Sequence, residues 1–158
     1  MVVHLLPVPT TLFKTPTANL GRNGAAQHPQ KRKDGGHGPT LDDEVSYLLP
    51  LPTLEEAELV QDWVEYEPAI RRHEAVVGRP APIPTEIGPR GGRRLTARFA
   101  EWLMAIPDGW VTDVPDLVDP GKDPRAEQLH KIGNGGAPPQ AYEAWRRLMA
   151  HKALTEEN

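Results

Sequence analysis

The sequence predicts a mainly α-helical chain interrupted by long irregular Pro- and Gly-rich segments. Three observations predict it. Apolar residues recur at helical spacing in several stretches, cap residues stand at the starts of those stretches, and 18 Pro and 14 Gly among 158 residues punctuate the chain between them. No stretch carries the apolar/polar alternation of a half-buried strand. The expected organisation is a Pro/Gly-rich repeat and loop region over 1–53, a helical segment over 54–78, a Pro-rich linker over 79–92 and a C-terminal helical segment over 93–158.

Within the first region, Leu5-Leu6-Pro7-Val8-Pro9-Thr10 returns as Leu48-Leu49-Pro50-Leu51-Pro52-Thr53. Two copies are too few for a stacked repeat fold, so each is read locally: a Leu-Leu anchor followed by a Pro-x-Pro that fixes extended backbone. Asn19 to Pro39 is almost devoid of apolar residues and reads as a loop, with Lys31-Arg32-Lys33 inside it. Thr53-Leu54-Glu55-Glu56 has the pattern of a capping box, with Leu59, Val60, Trp63 and Val64 at helical spacing behind it. Pro68 interrupts or kinks this run, and a second piece carrying Ile70, Val76 and Val77 ends at Gly78. Thr96 is the expected N-cap of a helix reaching about Ala105, with Phe99, Trp102, Leu103 and Ile106 inward and the Pro107-Asp108-Gly109 turn as its stop. Asp123-Pro124 is a cap-plus-first-turn signal for a helix with Leu129 and Ile132 inward, closed by Gly133. The last helix opens at Pro138-Pro139 and gathers Ala141, Trp145, Leu148 and Met149 on one face.

Composition excludes several functions. The formal net charge is −4, which gives no general attraction to nucleic acid, but the charges are segregated. Asp42 to Glu67 contains many acids and no Lys or Arg, whereas Arg90, Arg93, Arg94 and Arg98 cluster. With no cysteine there is no disulfide, thiolate ligand or redox centre, and the histidines at 28, 37, 73, 130 and 151 lack paired ligand spacing, so no metal site is expected. No nucleotide-binding Gly loop, Walker lysine motif or serine nucleophile elbow occurs. The first residues lack a basic region and cleavage site, and no apolar run approaches a bilayer span; the expected location is cytoplasmic, with no membrane partner.

Two segments carry more than core information. Arg93-Arg94-Leu95-Thr96-Ala97-Arg98-Phe99-Ala100-Glu101-Trp102-Leu103-Met104-Ala105-Ile106-Pro107-Asp108-Gly109-Trp110 resembles the Arg-x-Leu-Thr-x-Arg-Glu…Leu-Gln-Gly-Phe-Pro-Asp segment of DNA (cytosine-5-)methyltransferases. Gly133-Asn134-Gly135-Gly136-Ala137-Pro138 resembles that family's final Gly-Asn-x-x-x-Pro segment. The Leu-Leu-Pro-x-Pro-Thr repeat and Gly35 to Thr40 are similar to the variable region of such enzymes from actinobacteria and their phages. Phe99 stands where the family has Glu, Met104 and Ala105 where it has Gln-Gly, and Gly136 where Val is common.

The resemblance implies the C-terminal piece of an α/β S-adenosylmethionine-dependent methyltransferase, comprising the target-recognition segment and one wall of the cofactor pocket. It implies DNA contacts from Arg93, Arg94, Arg98 and the Lys31, Arg32, Lys33 run, and S-adenosyl-L-methionine contacts from Gly133, Asn134 and Gly135 in an assembled enzyme. The family's chemistry adds a cysteine thiolate to C6 of a flipped cytosine. Here there is no cysteine and no Phe-x-Gly-x-Gly, Pro-Cys, Glu-Asn-Val or Gln-x-Arg-x-Arg, so no residue of this sequence is expected to be catalytic and a partner chain would carry those motifs. Read as residues alone, a Gly-rich turn between helices and a solvated charge run need no function. The alternatives are a non-enzymatic DNA-binding or interaction protein built on the same module, and a non-functional remnant.

Overall fold

The computed structural model describes residues 11–22, 26–48 and 63–156. It is mainly helical. In chain order the elements are a 3-10 turn (Ala18–Gly21), α1 (Pro29–Asp34), α2 (Leu41–Asp43) continued as a π turn (Glu44–Leu48), a 3-10 turn (Val64–Tyr66), α3 (Glu67–Val77), β1 (Thr85–Ile87), β2 (Arg93–Leu95), α4 (Ala97–Leu103), a 3-10 turn (Pro115–Leu117), α5 (Pro124–Asn134) and α6 (Pro138–Glu156). The expected capping box at Thr53 and all but the start of the Leu48 to Thr53 repeat lie outside the described residues, as does the Leu5 to Thr10 copy.

The helix boundaries follow from caps. Thr96 is extended (φ −79°, ψ 146°) and its hydroxyl accepts the Phe99 N–H, which starts α4; the same hydroxyl donates to Ile83 O at 2.9 Å. Asp123 accepts the Arg125 N–H with Pro124 at the first helical position, which starts α5. Gly78 ends α3 in the left-handed region (φ 72°), its N–H donating to Glu74 O at 2.8 Å. Pro68 does not kink a helix: it sits in the first turn of α3, where a missing N–H has no consequence.

Four sequence expectations are corrected. The 79–92 linker contains a strand: β1 pairs antiparallel with β2 (Thr85 with Leu95, Ile87 with Arg93), a hairpin too short and proline-flanked to show alternation. The loop over 19–39 contains α1, so Lys31, Arg32 and Lys33 are helical. Val64 is exposed with φ 48°, which breaks the helical run assigned through it. Finally, α5 does not close at Gly133 but runs to Asn134, with Gly135 as its C-cap.

The core is an aromatic cluster joined to aliphatic side chains. Phe99 stacks between Trp63 and Trp102, each with ring centroids 5.7 Å away, and Phe13 stacks on Tyr66 at 4.1 Å. Leu41, Val45, Ile70, Leu95, Leu129 and Ile132 complete it. Phe99 is thus a core residue.

The carboxylate near that position belongs to Glu101, which is fully buried. Its Oε1 accepts from the N–H groups of Val111 (2.7 Å) and Thr112 (3.2 Å), and its Oε2 from the Gly109 N–H (3.1 Å) and the Thr112 hydroxyl (2.8 Å). Four donors make burial of an ionised group tolerable and fold the Pro107 to Thr112 segment around one side chain. Replacing Glu101 by Ala is expected to cost about 3 kcal/mol or more, because it strands several buried donors at once. Chemical denaturation of wild type and E101A measures it; a loss below about 1 kcal/mol would show that water satisfies those donors.

Candidate functional site

The hairpin, α5 and the acidic start of α2 meet around a cleft of about 460 Å³, lined by Arg90, Arg93, Arg94 and Arg125 together with Asp42 and Asp123. Gly88 permits the cleft: a Cβ there would stand 3.0 Å from Arg94 Cδ, so the glycine lets that side chain lie across the hairpin. Arg94 pairs with Glu86 at 2.6 Å and stands 3.8 Å from Asp123. Arg125, in the first turn of α5, donates from Nε to Leu95 O at 2.6 Å, and its Nη2 stands 3.5 Å from Asp42 Oδ2 without the geometry of a hydrogen bond. Burial pulls the Arg125 guanidinium below its ordinary pKa; Asp42 opposes this and Arg94 adds to it.

Two guanidinium nitrogens in this cleft, Arg94 Nε and Arg125 Nη2, are shielded from solvent and have no hydrogen-bond partner. Such groups carry a desolvation cost and are few in native proteins, where a water or an ion commonly meets them.

The expected DNA-contact residues are not brought together. Arg93 and Arg94 enter the cleft, whereas Arg98 points to Asp113 and Asp108. Arg32 ion-pairs with the buried Asp43, while Lys31 and Lys33 stay on α1, away from the cleft lining. Arg125 was not read from the sequence as a site residue. A signal existed: a cation in the first helical turn faces the positive end of the helix dipole, which is unfavourable unless anions offset it.

The expected cofactor segment fits a ligand poorly. A Cβ on Gly133 would lie 2.0 Å from Thr17 C and 2.1 Å from Ala18 N, so this glycine exists for backbone contact with the first 3-10 turn. The Gly135 N–H caps α5 through Lys131 O and Ile132 O, and Pro138 and Pro139 have no N–H to offer at the start of α6. Asn134 keeps an exposed side chain, its amide 3.2 Å from His130 Nε2. Among the described residues no group of three or more His, Asp or Glu is placed to hold a metal, and no helix is long and apolar enough to cross a membrane.

No family model, no curated protein and no solved structure matches the chain.

Asp43, beside the cleft, reports on pH. Burial pushes its pKa up, but the N–H groups of Gln27 and Thr40, the Arg32 guanidinium and the Thr40 hydroxyl together hold it below its ordinary value. A lowered folded-state pKa contributes stability that is present above the unfolded value and is lost as pH falls through the folded one. Unfolding of wild type followed from neutral to acid pH is therefore expected to show stability falling below the ordinary aspartate range, with a shallower acid slope in D43N. Equal slopes would assign the acid sensitivity to other carboxylates.

Proposed function

We propose that the chain is the target-recognition and C-terminal portion of a DNA (cytosine-5-)methyltransferase, with the thiolate nucleophile supplied from outside these 158 residues. The observation that carries this reading is Ala105. It adopts φ 53°, a left-handed conformation that favours glycine, at the position where the family's segment has Gly, directly before the Pro-Asp turn organised by Glu101. Backbone geometry here thus demands what the family's motif supplies, although the side chain departs from it. Supporting it, α4 and α5 pack together, and Gln128 Nε2 reaches Thr112 O at 3.0 Å, so the two resembling segments belong to one folded unit. S-adenosylmethionine would supply the methyl group; of the expected contacts, the exposed Asn134 side chain, which also reaches His130, would form part of its pocket wall, and the rest must come from elsewhere.

A non-enzymatic interaction module is favoured by one further observation: Tyr142, Trp145, Leu148 and Met149 along α6 are large apolar side chains that are 44–65% exposed. This apolar face, unlike the stripe of α4, is not packed against the described residues.

Two measurements test the proposal. Fluorescence anisotropy of a labelled duplex is expected to show weak binding at low salt that falls steeply as salt rises, because few phosphates are neutralised and sequence readout is absent. R98A should leave that binding nearly unchanged, since Arg98 is committed to Asp113. No transfer of labelled methyl groups to DNA is expected from the chain alone. Absence of duplex binding at low salt, or methylation by the lone chain, overturns the reading. Separately, A105G is expected to stabilise the fold by roughly 0.5–1 kcal/mol by relieving the left-handed alanine, net of the added unfolded-state entropy of glycine; destabilisation in thermal unfolding would remove the backbone argument for the family.

A further inference from the structure

We propose that the arginine-lined cleft between the hairpin and the start of α5 is a phosphate-binding site, with Arg94 and Arg125 in its wall and Arg90 and Arg93 at its mouth. Four arginines and two aspartates line the cleft, and Glu86 pairs with Arg94 beside it, so four cations meet three carboxylates within a protein of net charge −4. The two unpartnered nitrogens belong to residues of different elements, β2 and α5, and both residues line the same space. A tetrahedral oxyanion presents several acceptors in different directions, so guanidinium groups carried by different elements can bind it together. Asp42 offers Arg125 only its second oxygen: its Oδ1 accepts the Leu95 N–H at 2.8 Å and the Ser46 hydroxyl at 3.2 Å, and its Oδ2 stands 3.5 Å from Arg125 Nη2 without the geometry of a hydrogen bond. Arg125 also lies in the first turn of an 11-residue helix, whose positive end adds to the attraction for an anion.

The volume of about 460 Å³ exceeds what one phosphate fills, leaving space for the groups esterified to it. Phosphate chemistry has two sources, a nucleic-acid backbone or a small phosphate compound. The choice of the backbone phosphodiester rests on the DNA reading above; the site itself does not.

The full chain would be titrated with inorganic phosphate and pyrophosphate by thermal shift, and with a labelled duplex by anisotropy. Three variants separate fold from binding. R90E alters an exposed residue of the hairpin turn, R94K keeps the charge but removes Nε, and K31E/K33E reverses charge away from the cleft. Pyrophosphate should raise the melting temperature of wild type and of K31E/K33E, and much less that of R90E and R94K. Duplex affinity should fall about tenfold in R90E and several-fold in R94K, with a smaller salt slope in R90E. Stabilisation by pyrophosphate without duplex binding would uphold the site and overturn the DNA reading. Duplex binding that is indifferent to R90E and R94K, with no response to either phosphate, would overturn the site and leave the DNA reading standing.

Discussion

Three consecutive carboxylates, Asp42, Asp43 and Glu44, are all buried, and the rest of the structure is arranged around satisfying them. Each faces a different part of the chain. Asp42 accepts from Leu95 and stands beside Arg125, tying α2 to the hairpin and α5. Asp43 accepts from Gln27, Thr40 and Arg32, which closes the segment around α1. Glu44 accepts the Lys14 N–H at 3.0 Å and fixes the extended residues that deliver Phe13 to the aromatic cluster. Burial holds the Glu44 carboxyl above its ordinary pKa, opposed by the Lys14 N–H and ammonium, with the Asp43 charge adding to the rise. A buried carboxylate is tolerated only with partners, so this triplet specifies which segments meet even though its net contribution to stability is small.

The same triplet marks the limit of what the sequence discloses. Its residues stand in an acidic run without nearby Lys or Arg, and such a run is ordinarily solvated; the donors come from residues as distant as Leu95. Local signals fared better. Thr96, Asp123 and Gly78 are caps whose effect is confined to one turn, and each lies where its chemistry requires. The inward positions of α4 and α5 were legible from spacing for the same reason. The hairpin was not, because three residues per strand give no period and its pairing is decided by Thr96 bonding back to Pro84 and Ile83. In the cleft, Arg93 and Arg94 were legible as a cluster, but Arg125 joins them only through tertiary contact. Arg98 shows the converse: adjacent in sequence, it is turned by the helix toward Asp113.

The cleft and the resembling segments make different uses of the same strand. β2 ends in Leu95, wholly buried, and is followed by Thr96, which starts α4, while Arg93 and Arg94 line the cleft beside them. Residues that fold the α4 segment therefore also position the charged ones. A cation placed at the end of a strand whose next residue caps a helix has little freedom to relocate, and rigid placement is what makes a few guanidinium groups useful for recognition.

The first 3-10 turn lies along α5 backbone to backbone. A Cβ on Gly21 would come within 2.2 Å of Ala126 O at one end, and Gly133 meets Thr17 and Ala18 at the other. His130 secures the middle through Ala18 O, 112 residues away in sequence. During synthesis this early turn must wait for α5 to emerge, on the order of ten seconds at ordinary elongation rates. Until then Leu20 has no helix to cover it, and the slot that Gly133 will later fill stays open. This contact is thus deferred until α5 has been made, so a ribosome stalled before α5 would hold a chain whose Ala18–Gly21 turn is still an open target for proteases and chaperones.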